Sequence, residues 1–118
     1  MEDRLVTVLG GGAFGTAIAT LLVQNGCKVK LWCYESEVSE QINRDHENKQ
    51  YFSGVRLDSA IHATSKLKDA LQGCKVVFEA IPVKFLRTVL VQAKEFMVPD
   101  QILVITSKGI EQDTLFLP

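Results

Sequence analysis

The sequence has no excess of charge of either sign and no long hydrophobic run. Thirteen lysine and arginine residues face fourteen aspartate and glutamate residues, so the formal net charge is −1. A chain without a basic excess is poorly suited to neutralise a phosphate backbone, and we expect no nucleic-acid partner. The apolar runs, of four to six residues, are far shorter than the roughly 20 residues that span a bilayer. We therefore expect no insertion into membranes.

Signal-peptide and cysteine-rich patterns are also absent. Charged residues 2–4 lead directly into a short strand-like run, which favours a cytoplasmic protein. The three cysteines, Cys27, Cys33 and Cys74, include no C-x-x-C pair. Their number and spacing support neither a metal site nor a disulfide framework. Because Cys33 and Cys74 lie beside apolar runs, we expect both to be buried thiols.

What the chain does have is enough hydrophobic sequence for one packed domain. Its 118 residues are 47% hydrophobic, and single domains most often contain about 100–150 residues. Apolar runs predict strands that alternate with amphipathic helices. The predicted strands are residues 5–9, 29–33, 61–64, 76–81 and 102–105, and the predicted helices are residues 13–24, 36–46, 65–73 and 86–97. This alternation predicts an α/β fold with a parallel, doubly wound sheet.

Local patterns add detail to two of the helices and to one loop. The first helix carries apolar residues at helical spacing, which we expect to face the sheet. These residues are Phe14, Ala17, Ile18, Leu21 and Leu22. Ser65 is predicted to cap the third helix, and residues 47–58, rich in Asn, Ser, Gly and Asp, are predicted to form a loop.

A glycine-rich turn follows the first strand. Residues 10–15 read GGGAFG and fit the pattern G-x-G-x-x-G at Gly10, Gly12 and Gly15. Gly10 allows a sharp turn, Gly12 lets a pyrophosphate approach the backbone, and Gly15 allows the helix to pack closely on the strand. The helix that begins near Ala13 would direct its free N–H groups and its dipole at the phosphates. The pattern, in this strand–turn–helix context, predicts a dinucleotide site.

An acidic residue after the second strand predicts the choice of dinucleotide. Glu35 lies twenty residues after Gly15, where a carboxylate accepts hydrogen bonds from the adenosine ribose. The same carboxylate repels a 2′-phosphate, so we expect NAD rather than NADP as cofactor, although NADP stays open. Tyr34 is placed to cover the adenine ring, but it is nearly as well explained as a half-exposed aromatic at a strand end.

Two further segments leave the sheet at the same edge. Phe85 follows the fourth strand and either packs against the dinucleotide or belongs to the core of the next helix. Lys108 follows the fifth strand, where nicotinamide and substrate would meet, although a loop lysine is most often merely solvated. His46 and His62 have no partner at triad-like spacing, so we assign neither a catalytic role.

At this point the chain resembles the N-terminal domain of bacterial NAD(P)-dependent glycerol-3-phosphate dehydrogenase. The matching segments span nearly the whole chain in the same order. They read VLGGGAFGTA (8–17), NG (25–26), LW (31–32), IN (42–43), HEN with a following Tyr (46–51), AIP (80–82) and SKGIE (107–111). The HEN-to-Tyr and SKGIE segments are more specific than the glycine turn. The turn departs from the family, since Ala13-Phe14 stands where Ser-Trp or Ser-Tyr is common.

The resemblance implies a Rossmann-type fold and the reversible reduction of dihydroxyacetone phosphate to sn-glycerol 3-phosphate, which feeds phospholipid synthesis. It implies cofactor contacts from nine residues and a substrate contact from one of them, Lys108. The nine are Gly10, Gly12, Ala13, Phe14, Gly15, Tyr34, Tyr51, Phe85 and Lys108, and Glu35, predicted above from its position, completes the expected cofactor site. A homodimer is expected for the full-length protein.

Family members continue well beyond the counterpart of Pro118. We therefore expect residues 1–118 to be a dinucleotide-binding domain, truncated before its end, without the helical substrate domain. The resemblance places the proton-exchanging lysine beyond Pro118, so no catalytic residue is expected within these residues. We expect the chain by itself to bind dinucleotide weakly, to be catalytically inactive, and to expose apolar surface that favours self-association.

Two alternatives belong to other functional classes. The same turn and strands would fit another hydroxyacid-type dehydrogenase, such as a ketopantoate reductase or a β-hydroxyacid dehydrogenase, although such a protein should lack the HEN-to-Tyr and SKGIE segments. They would also fit a non-catalytic module that senses NAD(H). Lys108 argues against a sensor, because a sensor needs no cation at the nicotinamide end.

Overall fold

A computed structural model of the chain describes residues 4–106. Strands and helices alternate throughout this range, as the sequence predicts. In chain order the elements are β1 (Arg4–Leu9), α1 (Ala13–Gln24), β2 (Cys27–Trp32), α2 (Ser36–Asp45), β3 (Ile61–Thr64), α3 (Leu67–Leu71), β4 (Val76–Glu79), α4 (Val83–Lys94) and β5 (Ile102–Ile105). The prediction of an α/β fold is confirmed.

The five strands form one parallel sheet in the order β3-β2-β1-β4-β5. The chain builds outward from β1 to β3 on one side and then crosses back to place β4 on the other side of β1. The boundary between β1 and β4 is therefore the topological switch point, where ligands of such sheets bind at the carboxyl ends of the strands. The predicted doubly wound sheet is confirmed, and it indicates where a site belongs.

Helices cover both faces of the sheet, and each face has its own hydrophobic core. On one face, α1 and α2 pack through Ala19, Val38 and Ile42 against Val8 and Leu31. On the other face, α3 and α4 contribute their own apolar residues. The buried members of this second cluster include Leu67, Leu71, Leu86, Val89 and Ala93, packed with Leu9, Trp32 and Val77. Coverage on both faces explains why β1 reads as a continuous apolar run.

The predicted buried stripe of α1 is wrong in part. Phe14 and Leu21 are each 58% exposed, while the residues of α1 that are fully buried are Gly15, Thr16 and Ala19. Ile18 and Leu22 do pack against the core. Small residues face the sheet because α1 approaches the turn after β1 closely. Apolar spacing alone therefore predicts a buried face of α1 that is displaced by about one residue from the observed face.

The remaining differences lie at the ends of elements. Lys66, not Ser65, is the residue at the N-terminal cap of α3, and its side chain makes no capping hydrogen bond. The Ser65 carbonyl instead accepts a hydrogen bond of 3.0 Å from the indole N–H of Trp32. The loop predicted at residues 47–58 contains no helix or strand, although Asn48 and Leu57 within it are buried.

Within residues 4–106, no helix is long and apolar enough to cross a membrane. The same part of the chain brings together no group of three or more His, Cys, Asp or Glu side chains that could hold a metal ion.

Candidate functional site

A cleft of about 510 Å³ opens at the carboxyl edge of the sheet, at the switch point between β1 and β4. Three chain segments that leave strands meet there, together with one face of α4. The lining residues are Gly10, Gly11 and Gly12 after β1; Trp32, Cys33, Tyr34 and Glu35 at the end of β2; Ala80, Ile81 and Pro82 after β4; Phe85, Thr88, Val89 and Gln92 on α4; and Val38 and Tyr51. The fold thus brings most of the predicted site residues to one place.

The backbone of the glycine turn is shaped by close approaches. Gly10 has a φ of +124°, which disfavours residues with a side chain, and a Cβ there would lie 2.5 Å from the Ala80 carbonyl oxygen. A Cβ on Gly15 would lie 1.8 Å from the Gly10 carbonyl oxygen. Gly15 therefore lets the first turn of α1 rest directly on the chain that leaves β1.

Gly12 differs from these two glycines because nothing limits a side chain there. A Cβ on Gly12 would have no atom within 4 Å, although Gly12 lines the cleft. The protein thus leaves open space where the turn faces the cleft. The role predicted for Gly12, close approach of a diphosphate to the backbone, requires such open space.

The start of α1 supplies hydrogen-bond donors beside this open space. Gly12 is the N-cap of α1, no side chain of the described part of the chain caps it, and the first turn contains no acidic residue. Ala13 and Phe14 are the first two residues of the helix, where backbone N–H groups lack partners within the helix. Neither residue lines the cleft, and the Phe14 side chain is largely exposed, so these two residues can offer a ligand only backbone N–H groups. Free N–H groups and the positive end of the helix dipole favour an anion here.

The aromatic residues predicted to contact the cofactor lie on the rim of the cleft. Tyr34 is 81% exposed and meets the Trp32 ring edge-on, with ring centroids 6.2 Å apart. Phe85 is 54% exposed in the first turn of α4, where Thr88, Val89 and Gln92 continue the same helix face. Thr88 and Gln92 were not predicted from the sequence, although their spacing of three and seven residues from Phe85 is the signal of a shared helix face.

Glu35 and Tyr51, both predicted to bind cofactor, are bound to each other. The Tyr51 hydroxyl donates to the two carboxylate oxygens of Glu35 at 3.0 and 3.3 Å, and Gln50 Nε2 donates to the Tyr51 oxygen at 3.1 Å. One hydroxyl uses only a fraction of the roughly four lone-pair positions of a carboxylate. Glu35 therefore retains acceptor positions for other donors in the cleft.

This pair shifts the pKa of Tyr51. The hydrogen bond to Glu35, then burial and the Glu35 charge, raise the pKa of the Tyr51 phenol above its ordinary value. The bond therefore stabilises the fold at neutral pH, and this contribution is lost as pH rises through the raised pKa of Tyr51.

We expect the Glu35→Gln variant to lower the pKa of Tyr51 back toward its ordinary value, because the amide removes the negative charge that holds the phenol proton. The phenolate absorbance, followed against pH, measures this change, and Tyr51→Phe identifies which part of the signal comes from Tyr51. An identical Tyr51 titration in the wild-type protein and in Glu35→Gln would show that the pair does not exist in solution.

Cys33 lines the cleft as a buried thiol. Burial, and then the charge of Glu35, raise the pKa of its thiol to about 12, so the thiol stays protonated at neutral pH. The buried thiols expected from the sequence are confirmed, since all three cysteines are buried. A Cβ on Gly11 would lie 2.6 Å from the Cys33 sulfur. The absence of a side chain at Gly11, which was not predicted from the sequence to matter, thus leaves room for the Cys33 sulfur.

A buried carboxylate fixes two of the chain segments at the cleft edge. Glu79, at the end of β4, is fully buried. One of its carboxylate oxygens accepts the Ile81 N–H at 2.7 Å, and the other accepts the Thr106 N–H at 3.3 Å. The Thr106 hydroxyl also donates to the Glu79 carbonyl. Glu79 therefore ties the exit of β5 to the exit of β4. The predicted site residue Lys108 follows shortly after Thr106 and lies outside the described residues.

The chain matches a known protein family whose name refers to NAD, the class of ligand that the turn and the cleft suggest. The family model described as NAD-dependent glycerol-3-phosphate dehydrogenase N-terminus matches residues 5–117. The chain belongs to this family. This membership confirms the resemblance found in the sequence.

Individual members of the glycerol-3-phosphate dehydrogenase family show the same likeness. The glycerol-3-phosphate dehydrogenase [NAD(P)+] of Carboxydothermus hydrogenoformans is 44% identical over 98% of the chain and 34% of its own length. The crystal structure of the Coxiella burnetii glycerol-3-phosphate dehydrogenase matches with a TM-score of 0.85 and 25% identity, over 90% of this chain and 33% of the other. The Saccharomyces cerevisiae enzyme matches with a TM-score of 0.84 and 27% identity, over 91% and 34%. The chain thus spans about a third of the length of the relatives it matches.

Proposed function

We propose that residues 1–118 form the dinucleotide-binding domain of a glycerol-3-phosphate dehydrogenase that prefers NAD. The reaction is the reversible reduction of dihydroxyacetone phosphate to sn-glycerol 3-phosphate, as the name of the family suggests. The observation that carries the proposal is the pairing, in one cleft, of an open backbone cradle at Gly12 with a carboxylate at Glu35. The cradle suits the diphosphate, and the carboxylate suits the ribose hydroxyls.

In this proposal, different residues contact different parts of the dinucleotide. The N–H groups at the start of α1 bind the diphosphate, with Gly10 and Gly15 keeping the turn compact. Glu35 accepts hydrogen bonds from the adenosine ribose, and Tyr34 and Tyr51 flank the adenosine. Phe85 packs toward the nicotinamide half from α4, and Lys108 contacts cofactor and substrate. The nicotinamide, when bound, supplies the hydride of the reaction.

The substrate half of the active site is proposed to lie in sequence that these 118 residues do not include. Support comes from the relatives, which are about three times as long as the part that matches. Hydride transfer needs cofactor, substrate and proton donor held at about 3–3.5 Å, and residues 1–118 supply only the cofactor side and Lys108. For the full-length protein we propose a cytoplasmic homodimer. We propose no nucleic-acid partner for residues 1–118, whose net charge is −1.

A polypeptide of these 118 residues should bind NADH but should not oxidise it when dihydroxyacetone phosphate is added. Isothermal titration with NADH and the loss of NADH absorbance measure the two results. Absence of NADH binding would contradict the proposed function, and enzyme-like turnover would contradict the assignment of the substrate half to other sequence.

The preference for NAD is expected to depend on Glu35. Among the described residues that line the cleft there is no lysine or arginine to bind a 2′-phosphate, and the Glu35 carboxylate repels one. We expect NADH to bind at least about tenfold more tightly than NADPH, equivalent to about 1.4 kcal/mol. Glu35→Gln should bring the two affinities close together, mainly by weakening NADH binding.

The matched control for this test is Glu37→Gln. Glu37 lies in the first turn of α2 but faces a different groove, so the same loss of charge there should leave the preference for NADH unchanged. Equal affinity of the wild-type chain for NADH and NADPH would contradict the proposed cofactor preference while leaving dinucleotide binding intact.

A further inference from the structure

Asn48 is a polar residue whose side chain is completely buried, in the loop between α2 and β3. A buried amide is costly unless its donors and acceptors are paired, so its partners define what the residue does. Asn48 itself does not line the cleft. Its hydrogen bonds nevertheless reach two parts of the chain that do.

The first of these parts is the glycine turn. Asn48 Nδ2 donates to the Gly11 carbonyl oxygen at 2.7 Å and to the Thr16 hydroxyl oxygen at 2.9 Å. Gly11 C=O and Gly12 N–H belong to one planar trans peptide unit, in which they point in opposite directions. Because Asn48 holds the carbonyl, the Gly12 N–H points away from Asn48. This peptide has no side chain of its own to fix its orientation.

The second part is the segment that carries Tyr51. Asn48 Oδ1 accepts the Tyr51 N–H at 3.2 Å, and the Asn48 carbonyl accepts the Phe52 N–H at 2.8 Å. Tyr51 in turn donates its hydroxyl to Glu35. One amide therefore fixes both the backbone that faces the diphosphate and the tyrosine that meets the ribose-binding carboxylate.

We propose that Asn48 is a positioning residue for dinucleotide binding, which aims the Gly12 N–H at the diphosphate and holds Tyr51 beside Glu35. This inference rests on the proposed function, since it needs a dinucleotide in the cleft. It assigns a role to Asn48, the last residue of the HEN segment.

The test is the Asn48→Asp variant, which keeps the size of the side chain and the acceptor for Tyr51 but loses both donors. The Gly11 carbonyl would then face a carboxylate oxygen, and a negative charge would lie close to the turn. We expect the affinity for NADH to fall by about tenfold or more, the effect of losing one or two buried hydrogen bonds. Isothermal titration measures affinity, and urea unfolding measures stability.

The control is Asn43→Asp, the same change at a second asparagine that bridges to backbone. Asn43 Nδ2 donates to the Ala63 carbonyl and its Oδ1 accepts the Ala63 N–H, each at 2.8 Å, away from the glycine turn. Asn43→Asp should lower stability without changing the NADH affinity of the folded protein. Equal loss of affinity in the two variants, or unchanged affinity in Asn48→Asp, would overturn the inference.

Thr16→Val keeps the inference testable if Asn48→Asp does not fold. It removes the hydroxyl that accepts one donor of Asn48 and should weaken NADH binding about threefold, within the range of one hydrogen bond. Thr20→Val removes a hydroxyl one turn later, which bonds to the Thr16 carbonyl at 3.1 Å, and should leave the affinity unchanged. Equal affinities in these two variants would also overturn the inference. Failure of the wild-type chain to bind NADH would instead contradict the proposed function.

Discussion

Replacing Gly12 by valine should weaken NADH binding by about 100-fold, equivalent to about 2.8 kcal/mol. The valine side chain would occupy the open space above the turn, where a Cβ meets no protein atom within 4 Å. Because it would fill space that the protein leaves empty, it should displace the diphosphate without displacing the fold. We expect the free energy of unfolding to fall by at most about 1 kcal/mol, since valine is a poorer N-cap residue than glycine.

The control for Gly12→Val is Lys66→Val, which places the same side chain at another helix N-cap. Lys66 is the N-cap of α3 and does not line the cleft, so its replacement should leave NADH affinity unchanged. Titration of both variants by calorimetry, with urea unfolding of each, separates the two effects. Wild-type affinity in Gly12→Val would mean that the dinucleotide does not use the glycine turn.

Replacing Gly15 by alanine should destabilise the fold by about 3 kcal/mol or more, at the upper end of the cost of overpacking. The new Cβ would lie 1.8 Å from the Gly10 carbonyl oxygen. That oxygen belongs to the backbone and cannot swing aside as a side chain would. The first turn of α1 must therefore move away from the chain that leaves β1, and its contacts with the sheet loosen.

Gly12→Ala, three residues earlier, is the control for Gly15→Ala. Gly12 has an ordinary φ of −79° and open space around the new methyl group. The free energy of unfolding of Gly12→Ala should therefore differ from that of the wild-type protein by no more than about 1 kcal/mol. Urea unfolding followed by circular dichroism measures both variants. Similar stabilities for the two would show that α1 does not approach the turn as closely as the structure indicates.

The sheet could be predicted from the sequence because its strands carry their own signal. Buried parallel strands read as continuous apolar runs, and the predicted bounds of β3 and β5 agree with the structure. The glycine turn was predicted for a similar reason, since its spacing and its place between strand and helix are local properties. The strand order was not predicted, because it depends on which strands pair over long separations.

Contacts between distant parts of the chain could not be predicted. Asn48 reaches the Gly11 carbonyl across 37 residues, and Thr106 reaches the Glu79 carboxylate across 27. No local pattern marks either polar residue as buried. The sequence also indicated Glu35 and Tyr51 separately as cofactor ligands, without showing that they bond to each other.

The error in α1 has a physical cause as well. Hydrophobic spacing predicts the apolar face of a helix. In α1, however, the face toward the sheet consists of the small residues Gly15, Thr16 and Ala19. Larger residues at these positions would hold the helix away from the turn. Phe14 and Leu21, apolar and correctly spaced, are consequently left exposed.

The most direct measurement is a crystal structure of the chain with NADH bound. Binding at the glycine turn predicts the diphosphate above Gly12, within hydrogen-bond distance of the N–H groups at the start of α1, with the adenosine ribose on the Glu35 carboxylate. A diphosphate that contacts neither the turn nor α1, or an adenosine ribose far from Glu35, would contradict it.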